Sequence, residues 1–335
     1  MGATLFLATI MAAQGTLRAD IHAHPSRFHR ADVARIENVE IARYQRSGID
    51  VVVCNISTDT PYRGGYIERD GTEVSTGMLR PEPGEPWSYT LDRLERILKT
   101  IADGDAVLAR RPQDVVDAEQ RGKLALIPAL EGADGLDGEI DHLYELHEKG
   151  VGLVQIVHFR ANALGHIQTW PYTPGGLTPF GREVIREANR LGIVIDLAHA
   201  NSATIRDTLA LSQHPVLFSH TGAKALVEGD RYLGDDDIHA IADKGGVIGI
   251  WPNGAGLPHV RDMVRHIDYL ENLVGIDHIG IGSDLRGMGS YSEGFGEDAN
   301  FEAIAEALST AGYSDEAVAK VMGGNFFRVW EAVTR

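Results

Sequence analysis

The chain has 335 residues, 43% hydrophobic and 24% charged, the make-up of an ordinary globular protein and not of a disordered one. A formal charge of −17 with no basic run excludes a nucleic-acid partner, because phosphate binding depends on clustered Lys and Arg. The single cysteine, Cys54, excludes an internal disulfide and a thiolate cluster for structural zinc.

No stretch approaches the roughly 20 apolar residues that span a bilayer, so no membrane partner is expected. A reducing compartment, the cytoplasm, is the simpler expectation for a chain without disulfides. The opening "MGATLFLATIMAAQG" is apolar but has neither a basic start nor a clear small-x-small cleavage site, so it reads as a packed helix or strand in preference to a signal peptide.

Short β-branched runs then recur: "ADIHAH" from Ala19, "DVVVCNIS" from Asp50, "LALIPALEG" from Leu124, "GLVQIVH" from Gly152, "GIVIDLAH" from Gly192, "PVLFSH" from Pro215, "GGVIGIWP" from Gly245 and "HIGIGSD" from His278. Each has the length and two-sided hydrophobicity of a buried parallel strand. Helical segments lie between them. In "TLDRLERILKTIADG", Leu91, Leu94, Leu98 and Ile101 share a face ahead of Gly104, and "GREVIREANRLG" repeats the device with Val184, Ile185, Ala188 and Leu191. "DDDIHAIADKGG" sets three acids in its first turn and Lys244 in its last, which suits the helix dipole, and "RHIDYLENLVG" offers Ile267, Leu270 and Leu273.

Eight strands alternating with helices predict a closed (β/α)8 barrel, with residues 1–335 as one domain, because alternation requires a parallel sheet and eight strands close around a filled interior. An open doubly wound sheet is the competitor, but no G-x-G-x-x-G marks a dinucleotide crossover. Residues 58–86, with "RDGT" as a hairpin turn, and residues 159–180 are oversized connections. Both follow strands, which puts both on the face where barrel enzymes select substrate.

Chemistry-bearing residues collect on that face. His22 and His24 end the first strand, Glu131 the third, His158 the fourth, His199 the fifth, His220 the sixth and Asp284 the eighth. A lone polar residue at a strand end is more often a hydrogen-bonding group than a ligand. Seven metal-competent side chains on six strand ends make the bland reading hard to hold, and the other nine of the 14 histidines read as solvated. Residues i and i+2 of a strand face one side about 6.6 Å apart, so His22 and His24 point into the mouth while Ile21 and Ala23 face the outer helices.

That arrangement gives a first ion His22, His24, Glu131 and Asp284, and a second ion Glu131, His199 and His220, with a water between them. Nitrogen and carboxylate ligands without sulfur favour two zinc ions, with manganese or cobalt as substitutes. A water on zinc loses its proton near pH ~7, so hydrolysis is the natural chemistry. In it His158 donates to the developing oxyanion, and Asp284 takes the nucleophile's proton and passes it to the leaving amine.

The residues resemble a known family. "DIHAHP", "LEG", "GLTPFGREVIREANRLGIVIDLAHA", "PVLFSHT", "DRYLGDDDIHAIADKGGVIGI", "HIDYLENLVGIDHIGIGSD" and "GGNFFRVW" are similar to the membrane dipeptidase (renal dipeptidase, peptidase family M19) branch of the amidohydrolase superfamily. The resemblance implies hydrolysis of a small dipeptide, often with a D-residue second. It implies His22, Glu131, His199, His220 and Asp284 as metal ligands with Glu131 bridging, His158 polarising the scissile carbonyl, and Arg231 binding the substrate's C-terminal carboxylate. Family members are often dimers, so it also allows a homodimer.

Three departures stand out: H-x-H where the family has H-x-D, which reshapes the metal site with one negative charge fewer at the first ion, and two that bear on the substrate pocket, "DLRG" with Arg286 where the family has F-D-G after the last ligand and Arg231-Tyr232 where it tends to Arg-Asn. The alternatives are an amidohydrolase acting on N-acyl amino acids, lactones or other small amides, and a non-catalytic metal-binding barrel. A deaminase is disfavoured because no H-x-E stands beside a ligand histidine. A carboxylated-lysine bridge is disfavoured because Glu131 already fills that place.

Overall fold

The computed structural model describes residues 17–30, 32–62, 66–69, 72–75 and 81–335, so the apolar N-terminal stretch lies outside the described residues. All eight predicted strands form: β1 (Ala19–Ala23), β2 (Val51–Ser57), β6 (Leu124–Glu131), β7 (Leu153–Gln155), β8 (Val194–Asp196), β9 (Leu217–Thr221), β10 (Val247–Ile250) and β11 (Ile279–Ile281). They pair in parallel in that order. Beyond the last strand the chain returns to the first: His24 N–H donates to Leu285 O and Asp284 N–H to His22 O, both at 2.8 Å. The result is a nearly closed (β/α)8 barrel whose seam is made by candidate ligands.

Strands β3 (Tyr66–Arg69) and β4 (Thr72–Ser75) form the hairpin expected around "RDGT", with Arg69 opposite Thr72. A ninth barrel-sheet strand, β5 (Ala106–Leu108), pairs in parallel with the start of β6 and was not expected, since three residues carry no readable period.

The connecting helices are α1 (Asn38–Arg46), α2 (Glu85–Ala102), α3 (Pro112–Glu119), α4 (Ile140–Lys149), α5 (Pro179–Leu191), α6 (Ser202–Leu211), α7 (Asp235–Asp243) and α8 (Val260–Val274), followed by α9 (Phe301–Thr310), α10 (Asp315–Ala319) and α11 (Asn325–Thr334). None of the described helices is long and apolar enough to cross a membrane. Helix α5 begins where the sequence says it must: Thr178 Oγ1 accepts from Gly181 N–H at 2.9 Å and Pro179 takes the first turn, where its missing N–H costs nothing. In α2 the buried face is Thr90, Leu94, Ile97 and Thr100, one position round from the face expected, and Leu91, Leu98 and Ile101 are half-buried at its flank.

Two apolar layers result. Outward residues of the strands pack with the helices, while Ala19, Ile21, Val51, Val53, Ile127, Leu153, Val194, Leu217 and Val247 fill the barrel and meet Phe326, Phe327 and Trp330 of α11. "GGNFFRVW" is therefore a structural seal, each large side chain contributing about 1.5–3 kcal/mol by burial. Ile21 lies inside the barrel, where a Cβ at Gly249 or Gly280 would stand 3.0 or 3.3 Å from its Cδ1, and not against the outer helices. A register shift between Asp20 and Ala23 is the reason: the strand breaks strict alternation there, so Ile21 fills the barrel and His22 still enters the mouth.

His266 was expected on the solvated side of α8 and is buried at 2% exposure, its Nδ1 accepting from Ala223 N–H at 2.9 Å. Burial, with the charge of Arg265, pushes its pKa down to about 4. The fold holds it neutral where an unfolded chain takes up a proton, so its contribution is complete above pH 6.5 and drains away as pH falls toward 4. His266→Gln, which keeps an acceptor for Ala223, is expected to flatten that part of the stability-against-pH curve by on the order of 3 kcal/mol, read from denaturant midpoints between pH 7 and pH 4.

Candidate metal centre and active site

The barrel mouth gathers all seven strand-end residues around one carboxylate. Glu131 Oε1 lies 3.3 Å from His22 Nε2, 3.1 Å from His158 Nε2, 3.6 Å from His199 Nε2 and 3.8 Å from His220 Nε2. Its Oε2 lies 3.5 Å from His24 Nε2 and accepts from Ser57 Oγ at 2.5 Å, and Asp284 Oδ1 is 3.3 Å from the same His24 nitrogen. Six of the seven are under 4% exposed and Asp284 is at 8%. Several sit just past their strands and not within them. His199 and Asp284, each three residues beyond the final residue of its strand, take left-handed backbone at φ 68° and 46°. Non-glycine residues pay about 1–2 kcal/mol for that conformation, a strain that concentrates at functional sites.

Two three-residue groups have the spacing of metal sites, His22/His24/Glu131 and Glu131/His199/His220, with their ligand atoms within 4.8 Å of one another. The donor set fits cations on its chemistry. His22 Nε2 is buried and makes no hydrogen bond. His199 Nε2 and His220 Nε2 face each other at 3.1 Å although burial, with the charge of Arg231, holds both pKa values well below the ordinary range, so two neutral imidazoles present nitrogens to one point. The far nitrogens of three rings are anchored, His24 Nδ1 on Asn55 O at 2.8 Å and His22 and His220 Nδ1 on Ser219 Oγ at 3.0 and 2.9 Å, which leaves each Nε2 for the mouth. Burial alone would raise the Glu131 pKa, but the charge and hydrogen bonds of the surrounding histidines, His158 first, hold it well below the carboxylate range.

Asp59 belongs to this site and was missed in the sequence. It stands just past β2, fully buried, and its Oδ1 is 2.7 Å from His158 Nδ1 while Oδ2 accepts from Phe159 N–H at 3.1 Å. Burial opposes protonation of His158, yet the carboxylates of Asp59 and Glu131 raise its pKa to about 9. The Asp59 carboxylate at Nδ1 thus favours the doubly protonated, donating form of His158. The available signal was position: Asp59 ends a strand as the other acids do, but "TDTP" reads equally as a turn.

A cavity of about 360 Å3 opens above the cluster, lined among others by His158, Phe159, Arg231, Trp251 and Met288. Arg231 lies 5.1 Å over the Trp251 ring, its Nη1 buried without a hydrogen-bond partner. Arg286 also borders the cavity, but its guanidinium is spent on Glu40 and Glu297 at 3.3 and 3.1 Å. Tyr232 turns to a separate neighbouring cavity, packed near His266 and Trp251. Residues 159–180 reach the mouth as expected: Gln168 N–H donates to His199 O at 2.8 Å, and the side chains of Gln168 and Tyr172 bond Asp230, next to Arg231.

The model of the family described as membrane dipeptidase (peptidase family M19) matches residues 16–335. The chain belongs to the membrane dipeptidase family. One member, dipeptidase tcpJ of Claviceps purpurea, is 33% identical over 72% of this chain and 59% of its own length. The chain spans 51–60% of the length of three such curated dipeptidases. Among solved structures, an amidohydrolase from Pseudomonas aeruginosa superposes with a TM-score of 0.78 at 25% identity, covering 98% of each chain. A metallo peptidase from Rhodobacter sphaeroides, solved with a phosphinate mimic of the dipeptide L-Ala-D-Ala, superposes at 0.80 with 22% identity over 96% of this chain and 100% of its own. The membrane dipeptidase fold is thus shared along nearly the whole chain, with its mouth occupied by the cluster just described.

Proposed function

We propose that this chain is a metal-dependent dipeptidase that works with two zinc ions, manganese or cobalt being substitutes, and accepts a D-residue at the C-terminal position. The observation that carries the reading is the pair of ligand groups sharing Glu131. Membership of the membrane dipeptidase family and the dipeptide mimic bound by the Rhodobacter sphaeroides relative support the substrate class.

In this reading His22, His24, Glu131 and Asp284 hold one ion, and Glu131, His199 and His220 the other. Bound there, the ions polarise the scissile carbonyl and activate a water for attack. The protein does the rest. Arg231 receives the terminal carboxylate and orients the dipeptide across the cluster. His158, kept protonated by Asp59, donates a hydrogen bond to the carbonyl oxygen as negative charge builds on it. Asp284 takes the proton from the attacking water and returns it to the departing amine.

Asp59 has no contact with the reacting atoms in this scheme and positions His158. Asp59→Asn is expected to lower kcat about 10²-fold with little change in KM, because the amide no longer favours the doubly protonated ring. Steady-state kinetics on a good dipeptide substrate would check the split.

The test of the whole reading is turnover by protein reconstituted with zinc, manganese or cobalt. L-Ala-L-Ala and L-Ala-D-Ala would be run beside N-acyl amino acids, lactones and simple amides, with metal content measured on the same sample. Dipeptide hydrolysis that a chelator removes is expected. Hydrolysis of the acyl amino acids alone would replace dipeptidase by another amidohydrolase activity, and no turnover with two ions bound would leave a binding barrel.

A further inference from the structure

Beneath the cluster, one hydroxyl meets two candidate ligands. Ser219 Oγ, on β9, lies 3.0 Å from Nδ1 of His22 and 2.9 Å from Nδ1 of His220, two rings from opposite sides of the mouth whose centroids are 3.9 Å apart. The backbone that carries this serine cannot shift. Its carbonyl oxygen is pinched where a Cβ at Gly249 or Gly282 would stand 1.8 or 2.0 Å from it, so both neighbours must be glycine. A hydroxyl has one hydrogen and two lone pairs. Either it donates to one imidazole, which then carries its own hydrogen on Nε2 and cannot ligate through that atom, or it accepts from both and sends its hydrogen elsewhere.

A second serine in the same barrel offers a precedent for an aspartate as that hydrogen's acceptor. Asp20 on β1 accepts from His22 N–H at 3.3 Å and Ser283 N–H at 2.9 Å through Oδ1, and takes the Ser283 hydroxyl on Oδ2 at 2.5 Å. Asp196 on β8 repeats the backbone half of this device, its Oδ1 accepting from Ala198 N–H at 3.0 Å and Ser219 N–H at 2.9 Å. Its Oδ2 is buried and makes no hydrogen bond. The Ser219 N–H bond to Oδ1 ties this carboxylate to the residue that carries the hydroxyl.

We propose that Asp196 and Ser219 form one positioning unit for both metal sites: the Ser219 hydroxyl accepts Nδ1–H from His22 and His220 and turns its own hydrogen toward the unpartnered Asp196 carboxylate, fixing both rings with Nε2 free. The unit touches neither substrate nor ion. It links the two sites through one side chain, so disturbing it affects both together, whereas Asn55 anchors His24 alone. This inference rests on the reading of the cluster as a metal centre.

Long-range 1H–15N spectra of metal-free protein carrying 15N-labelled histidine test the hydrogen placement directly. His22 and His220 are both expected as Nδ1–H tautomers in the unmutated chain. In Asp196→Asn the amide oxygen must keep the two backbone donors, so its NH2 faces Ser219 Oγ, the hydroxyl hydrogen turns to an imidazole, and one of the two rings converts to Nε2–H. Ser219→Ala is expected to weaken zinc at both sites by about 10–100-fold in a chelator competition, with folding checked by thermal melts.

An Nε2–H signal for either ring in the unmutated protein would overturn the proposal, as would unchanged spectra in Asp196→Asn or zinc affinities within about 2-fold in Ser219→Ala. The first spectrum needs no variant, so a misfolded mutant leaves the question decidable. If the unmutated protein binds no zinc, the metal reading fails by itself and the spectra still judge Ser219.

Discussion

Glu131→Gln is expected to empty both metal sites at once and to reduce kcat/KM by roughly 10³-fold or more, since Lewis-acid stabilisation is worth several kcal/mol. The amide keeps the volume of the carboxylate and loses its charge. Either orientation fails: an NH2 at the Oε1 position faces His22, His158, His199 and His220 within 3.8 Å, and one at the Oε2 position faces the Ser57 hydroxyl and His24. His22→Ala is the control, because His22 appears in only one of the two ligand groups. Counting metal in the purified variants distinguishes the two cases, with near zero expected for Glu131→Gln and about one ion for His22→Ala. One ion retained in Glu131→Gln would mean that the carboxylate does not bridge.

The metal candidates were legible because parallel strands deliver their final residues to one face whatever the intervening loops do. Reading "LEG", "VHF", "LAHA", "FSH" and "GSD" as strand ends places Glu131, His158, His199, His220 and Asp284 together without knowing a single distance, and the structure brings the three histidines within 3.8 Å of Glu131 and Asp284 within 3.3 Å of His24. What escaped depends on geometry that period alone does not carry. Ile21 was expected outside because strict alternation was assumed, and the shift at Asp20–Ala23 breaks it. His266 was expected in solvent because a histidine near the polar face of a helix is usually wet, and a backbone N–H from Ala223 gives it a reason to be dry. Asp59 and Ser219 meet the mouth histidines from behind, through contacts 99 and 197 residues apart in sequence, and a turn-like "TDTP" or a strand serine announces neither. The supporting residues of a site are less visible than its ligands because many side chains can donate or accept one hydrogen bond, while few can bind zinc.

Arg231→Ala is expected to cut kcat/KM for dipeptides with a free C-terminal carboxylate by about 10²–10³-fold, in line with the roughly 2–5 kcal/mol lost when one partner of a buried charge pair is removed. C-terminally amidated dipeptides and other substrates without that carboxylate are expected to change far less. The sequence alone made this the weakest of the site residues, since a loop arginine is usually a surface charge. The structure changes the balance. Burial pushes the guanidinium pKa down to about 10 against the pull of Asp284 and Glu131, which leaves it charged at neutral pH. Its Nη1 is buried without a partner, its Nη2 has only a 3.5 Å contact to His220 O, and Trp251 covers one face. An arginine held this way costs stability until an anion arrives, so metal-free Arg231→Ala is expected to unfold at the same or higher denaturant concentration than the unmutated chain. Arg231→Lys separates charge from shape: a lysine restores the charge without the planar fork, and recovery well short of full activity would show that two parallel hydrogen bonds to the carboxylate matter beyond its sign. Equal losses on free and amidated substrates in Arg231→Ala would remove Arg231 from carboxylate recognition and reduce it to a support for the Trp251 wall.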